Sequence, residues 1–209
     1  MSIAENLAEV ERRIRDAAQQ AGRDPSEVRL LPVSKTKPPQ AVLDAHAAGY
    51  SRFGENKVQE ARDKSRELAE VPGIEWALIG HLQKNKAKYL PEFASEFQAL
   101  DSLEVARELD KRFARAGRQL DVLVQVNSSG EEQKFGIDPA EALEFTARLG
   151  CFDALRVCGL MTLAVFSDDH ALVGACFERM TQVQRVLRDR DGEGWDEMSM
   201  GMSGDYELA

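Results

Sequence analysis

The sequence predicts an α/β fold, a parallel sheet flanked by helices, in a single domain running from residue 1 to 209. Two observations predict it. Short apolar runs, each brief enough for a strand, alternate along the chain with longer runs of helical period, and that alternation is the signature of a parallel sheet. No linker rich in proline, glycine or serine, no repeat and no low-complexity tract divides the chain, and 209 residues suffice for one sizeable core.

The elements follow in order. Ile3, Leu7, Val10, Ile14 and Ala17 recur at the helical period with charged residues between them, and Gly22 ends that helix. Strands are expected at 28–34, 50–54, 74–80, 96–100, 120–126, 155–163 and 196–200. Helices are expected between them at 38–48, 56–70, 84–90, 102–116, 139–149 and 170–190. The last is the clearest, because Leu172, Val173, Cys176, Phe177, Met180, Val183 and Leu187 share one face. Asp138-Pro139-Ala140-Glu141 reads as an N-cap, a proline at the first helical position and a carboxylate at the third. Ser102-Leu103-Glu104 is a shorter version, and Pro38 opens the helix after the first strand. Seven strands fit either an open doubly wound sheet or an eight-stranded barrel one strand short. No Gly-x-Gly-x-x-Gly follows the first strand, which removes support from the dinucleotide-binding form of the open sheet.

Composition excludes several classes. The net charge of -9, from 27 basic and 36 acidic side chains, argues against a nucleic-acid or anionic-membrane binder, whose footprint is basic. No apolar run approaches the roughly 18 residues of a membrane span, and the amino terminus lacks a signal-peptide pattern. Cys151, Cys158 and Cys176 are odd in number and lack metal-ligand spacing, so reduced and buried thiols in a cytoplasmic protein are expected. His46, His81 and His170 are scattered, with no carboxylate at ligand spacing, and no metal site is expected. No long exposed apolar stripe is evident, so a monomer is expected.

Ligands of α/β folds bind at the carboxyl ends of the strands. The residues just past the expected strands are Lys35, Glu55-Asn56, His81-Leu82-Gln83, Asp101-Ser102, Asn127-Ser128-Ser129, Thr162 after Met161, and Ser199-Met200-Gly201-Met202-Ser203-Gly204. Solvation explains any one of these loops; together, on one rim, they mark a site. Lysine is a poor choice inside a buried strand and a good one at its mouth, where a neutral amine is the nucleophile of Schiff-base chemistry. On this segment alone, Lys35 and Lys37 serve equally well to solvate a strand end. The Ser199–Gly204 turn can present backbone N–H groups and hydroxyls to a phosphate, or be an ordinary strand-to-helix turn. Met161, Met200 and Met202 are apolar walls of that site or core fillers. Lys84, Lys86 and Lys88 read as a solvated helix face.

Taken in order, Val33-Ser34-Lys35-Thr36-Lys37-Pro38, Phe53-Gly54-Glu55-Asn56-Lys57-Val58-Gln59-Glu60, Ile79-Gly80-His81-Leu82-Gln83-Lys84-Asn85-Lys86, Gln125-Val126-Asn127, Lys134-Phe135-Gly136-Ile137, Gly159-Leu160-Met161 and Ser199-Met200-Gly201-Met202-Ser203 resemble the pyridoxal phosphate homeostasis proteins. The resemblance spans nearly the whole chain. It implies a single (β/α)8 TIM-type barrel like the N-terminal domain of alanine racemase. It also implies that the last helix–strand unit, with its Arg-Ile-Gly-type phosphate-binding segment, is missing after Ala209. It implies pyridoxal 5′-phosphate held as a Schiff base on Lys35, with Asn56 and Met161 around the ring. The phosphate would lie against Ser199, Gly201 and Ser203, and Lys134 would sit near the mouth as a second lysine for transfer. The implied function is a cofactor carrier in pyridoxal phosphate homeostasis that delivers to apo-enzymes, with no catalytic residue assigned. The alternative is a pyridoxal-phosphate-dependent amino-acid racemase. Racemisation needs an acid and a base on opposite faces of the cofactor. In the two-domain racemases that resemble this barrel, the second group is a tyrosine from a second domain, and Tyr50, Tyr89 and Tyr206 hold no obvious opposing position.

Overall fold

In the computed structural model of the protein, which describes residues 2–209, the alternating pattern becomes six parallel strands joined by helical crossovers. Helix α1 (Ile3–Gln20) begins with a reciprocal capping box, in which Ser2 Oγ accepts from the Glu5 N–H and the Glu5 carboxylate accepts from the Ser2 N–H. Then follow α2 (Pro39–Ala47), β1 (Arg52–Glu55), α3 (Val58–Glu67), β2 (Glu75–Leu78), a 3-10 segment (Lys84–Glu92), β3 (Ala94–Leu100), α4 (Leu103–Arg115), β4 (Leu120–Gln125), α5 (Ala142–Ala147), β5 (Leu155–Met161), α6 (His170–Asp191) and β6 (Glu197–Ser199). The strands lie side by side in chain order, so every carboxyl end falls on one rim.

Among the described residues six strands, not seven, are formed; the run at 28–34 contributes a single parallel bridge, Val33 to Gly54. The reason is Pro32. The Ser34 N–H donates to Gly54 O at 3.0 Å and the Gly54 N–H donates to Pro32 O at 2.8 Å. The next rung of a parallel ladder needs an N–H on residue 32, which proline lacks. Two expected helices also differ. Residues 84–92 wind as a 3-10 segment, with Ala87 and Leu90 buried three residues apart and Pro91 unable to continue an α-helical ladder. The helix expected at 139–149 has only Ala142–Ala147 as α-helix, between 3-10 turns at Pro139–Glu141 and Arg148–Cys151. Asp138 caps as expected, accepting from the Ala140 N–H at 2.8 Å.

Alternation along the strands sorts side chains to two faces. The helix-facing side carries the core, where Phe53 and Trp76 meet at 6.2 Å between ring centroids and Phe97 is fully buried. The other face is concave. Arg29, on the run before the bridge, reaches Glu96 of β3 at 3.5 Å and Glu197 of β6 at 3.1 Å. Only a curled sheet lets one side chain touch both strands. Buried Glu96 also pairs with Arg52 of β1 and accepts from the Gln98 amide, so a polar layer lines the inner face.

Among the described residues no helix is long and apolar enough to cross a membrane. The three cysteines are free thiols, but only Cys176 is buried as expected; Cys151 is exposed and Cys158 half-buried. Among the described residues no cluster of metal-ligating side chains occurs.

Candidate functional site

The rim gathers every expected site residue. Lys35 follows the Val33 bridge and is exposed. Val33 and Leu31 pack beside the inward position of Gly54, while Ser34 points the other way to Glu55. The same alternation puts Lys35 next on the inner face. Lys64, Lys84 and Lys134 are ion-paired; Lys35, among the described residues, is not. Asn56 is the residue after β1, and its backbone lies against Gly80. A Cβ on Gly80 would stand 2.2 Å from Asn56 O, so the ends of β1 and β2 approach this closely only because residue 80 is glycine.

Met161 and Ser199, the last residues of β5 and β6, are register partners, and Gln125 of β4 is the partner of Met161 on the other side. The row Gln125–Met161–Ser199 thus closes the opposite half of the rim. The Ser199 hydroxyl donates to Gln98 Oε1 at 2.7 Å, which turns Ser199 inward and fixes the start of the run that follows. Gly201 takes φ 89°, and a Cβ there would meet Tyr206 Cα at 2.8 Å. Ser203 is exposed in the turn. The Met202 N–H is taken by the Asp205 carboxylate. The amides of Gly201, Ser203 and Gly204 donate to no protein acceptor among the described residues. One half of the rim offers an amine for imine chemistry, and the other offers donors suited to an anion.

Lys134 is held rather than free. It pairs with Glu131 at 2.5 Å and donates to Ala164 O at 2.9 Å, tying the loop after β4 to the loop after β5. The same loop rests on the rim elsewhere. Phe135 stacks on His81 at 4.0 Å, and the Gly136 N–H donates to Asp101 Oδ2 at 3.2 Å. Burial raises the Asp101 carboxyl, opposed by that N–H and by His81. Of the remaining groups, His46 Nδ1 lies 2.8 Å from Tyr50 O, and Lys84, Lys86 and Lys88 are exposed as expected.

Sequence reasoning missed a buried ionic cluster behind Lys35. The Lys64 ammonium donates to Ser34 O at 2.7 Å, Glu55 Oε1 at 2.6 Å and Glu60 Oε1 at 2.8 Å. The Ser34 hydroxyl donates to the same Glu55 oxygen at 2.6 Å, and the Thr36 N–H donates to Glu60 Oε1 at 2.5 Å. Lys64 is 5% exposed and Glu55 is 0% exposed. Burial pulls the Lys64 pKa down most strongly, but the bonds and charges of Glu55 and Glu60 together outweigh it and leave it raised. Glu60 is lowered, chiefly by its bond from Lys64 and despite partial burial. A signal was present: Val58, Ala61, Lys64 and Leu68 fall on one helical face, and a lysine among apolar residues there needs a buried partner.

A parallel α/β sheet thus carries an exposed lysine and the unpartnered amides of Gly201, Ser203 and Gly204 on one rim. The chain matches the family model for the alanine racemase N-terminal domain over residues 6–209. The pyridoxal phosphate homeostasis protein of Pseudomonas aeruginosa is 42% identical over 208 residues, covering 100% of this chain and 88% of that protein. Its Escherichia coli counterpart is 39% identical over 209 residues, covering 99% and 89%. Among solved structures, PipY of Synechococcus elongatus with PLP bound superposes with a TM-score of 0.86 at 33% identity, covering 99% of this chain and 92% of that one. Alanine racemase of Clostridium difficile superposes with a TM-score of 0.74 at 12% identity, covering 97% of this chain and 50% of its own, a likeness of fold alone. The chain belongs to the pyridoxal phosphate homeostasis protein family.

Proposed function

We propose that this protein binds pyridoxal 5′-phosphate on Lys35 and serves its homeostasis, holding the cofactor and delivering it to apo-enzymes as a cytoplasmic monomer. The observation that carries this reading is the exposed Lys35 amine at the carboxyl rim, outside every ion pair among the described residues. Lys35 would hold the cofactor, which when bound would supply an aldehyde group to that amine. Asn56 and Met161 would lie around the ring. Ser199, anchored on Gln98, starts the run whose Gly201 and Ser203 amides would take the phosphate. Lys134 is the second lysine at the mouth, and its pairing with Glu131 must loosen before it takes part in transfer. The names of the relatives and the PLP bound to PipY support the reading.

The working architecture we infer is a (β/α)8 barrel in which the Val33 run is the first strand and β1–β6 are the next six. A racemase reading gains no support from the tyrosines. The Tyr50 hydroxyl donates to Glu11 at 3.0 Å, and its pKa is pushed up to about 12 by burial first and that bond second. Tyr89 lies under Arg62, and Tyr206 lies under Arg13.

The test is an absorbance spectrum of the protein with pyridoxal phosphate beside Lys35→Ala, followed by borohydride reduction and peptide mapping. The expected result is a near-visible imine band that the variant lacks, with the reduced adduct on Lys35. Adducts scattered over surface lysines would refute the assignment.

A further inference from the structure

The backbone at Lys35 is held in an uncommon conformation. Thr36, the next residue, takes φ 63°, and a β-branched residue there is a steric outlier. Such a conformation persists only where the surroundings over-determine it. Here they do so from both sides of Lys35. On the amino-terminal side, Lys64 grips Ser34 O at 2.7 Å, while Glu55 takes the Ser34 hydroxyl at 2.6 Å. On the carboxyl-terminal side, Glu60 takes the Thr36 N–H at 2.5 Å, and Lys64 in turn holds that same Glu60 oxygen at 2.8 Å. The three ammonium protons of Lys64 are matched by three acceptors, so Lys64 has no proton or lone pair left for a ligand. Ser34 and Glu55 face the helix layer, so the cluster lies behind the reactive amine. One buried cation therefore fixes both peptide units that flank Lys35.

We propose that Lys64 and Glu60 are positioning residues for Lys35: they clamp the Ser34 and Thr36 backbone, and so select which of the two neighbouring lysines, Lys35 or Lys37, meets an aldehyde at the rim. The proposal rests on the cofactor reading above for its ligand but not for its geometry. Lys37 follows Thr36 in the same turn and is exposed like Lys35, its N–H donating to Ser34 O at 3.0 Å. Without the clamp the turn relaxes, and the two amines become comparable competitors.

Replacing Lys64 strands two carboxylates against the core, so the informative variants are at half-buried Glu60. Glu60→Ala removes the acceptor for Thr36. Glu60→Gln keeps a side-chain carbonyl that accepts the same N–H. Each variant and the parent chain would be followed by three readouts. These are the rate of imine formation with pyridoxal phosphate, the ratio of Lys35 to Lys37 adducts after borohydride reduction, and, without cofactor, hydrogen exchange of the Thr36 amide. Glu60→Ala is expected to slow adduct formation on Lys35 about ten- to a hundredfold, the scale of a misplaced reacting group. It should also move adducts toward Lys37 and release the Thr36 amide to rapid exchange. Glu60→Gln should recover most of the rate and the Lys35 preference. A parent-like rate, ratio and protection in Glu60→Ala would overturn the clamp, as would a Glu60→Gln as impaired as Glu60→Ala. If the parent chain itself forms no Lys35 adduct, the cofactor reading fails, and Thr36 exchange alone decides the clamp.

Discussion

Thr36 at φ 63° carries a backbone cost of about 1–3 kcal/mol, and it is held there by Glu60 on its own N–H and by Lys64 on the carbonyl of Ser34. Nothing in the letters Lys-Thr-Lys announces a left-handed threonine, so the conformation was not legible. The position of Lys35 was, since a cation that ends an apolar run belongs at a strand mouth. Gly80 makes the complementary case. It reads in sequence as the last residue of the strand expected at 74–80, with no sign of a close approach, yet Asn56 O stands 2.2 Å from where its Cβ would be. Gly80→Ala is therefore expected to force the ends of β1 and β2 apart. It should destabilise the fold by about 1–3 kcal/mol, as overpacking does, and weaken cofactor uptake through displaced Asn56. Urea unfolding of the variant checks it: a midpoint equal to that of the parent would mean the strand ends separate without cost.

At the scale of elements, the regular alternation of polar and apolar positions was readable and its interruptions were not. All six strands fall within runs recognised by their apolar residues to within two positions at either end, apart from the 28–34 run, where Pro32 stops the ladder. The hidden content of α3 is its ionic face, because Glu60 and Lys64 four apart look like an ordinary solvated pair until Glu55 is brought beneath them. This face predicts a pH response. Glu60 lies below the ordinary carboxylate range, chiefly through its bond from Lys64. A lowered carboxylate adds stability above its unfolded-state pKa, and that stability is lost as the pH falls through the folded-state value. Lys64 is raised; burial opposes this and the Glu55 and Glu60 bonds produce it, so its contribution is present at neutral pH and lost only as strong alkali passes its folded-state pKa. Thermal midpoints on the acid limb should fall more steeply for the parent than for Glu60→Gln, which has no carboxylate to protonate. Parallel acid limbs for the two proteins would show that Glu60 is not linked to folding.

At the scale of the whole molecule, a polar layer lines the concave face of the sheet. Arg29, Arg52, Glu96 and Glu197 meet on the concave face at the end opposite the rim, and Gln98 carries the chain of bonds from Glu96 up to Ser199. Glu96 and Gln98 alternate with Phe97 and Ala99, so the alternation within one strand is the trace this layer leaves in the sequence. The two carboxylates of the layer should not be equivalent. Glu197 is about half exposed and pairs with an equally exposed Arg29, an arrangement worth about 0–1 kcal/mol. Glu96 is 2% exposed and accepts from Arg52 and Gln98, so weakening a charged hydrogen bond there costs about 1.5–3 kcal/mol. Glu197→Gln should therefore leave the thermal midpoint nearly unchanged. Glu96→Gln should lower it by several degrees, since each kcal/mol shifts a chain of this size by about 2–4 °C. It should also loosen Gln98, and with it the Ser199 anchor that starts the anion-binding run. Phosphate-dependent protection of residues 199–204 from hydrogen exchange would register that second effect. Equal midpoints for the two variants would mean that the layer fills the inner face without holding the curled sheet together.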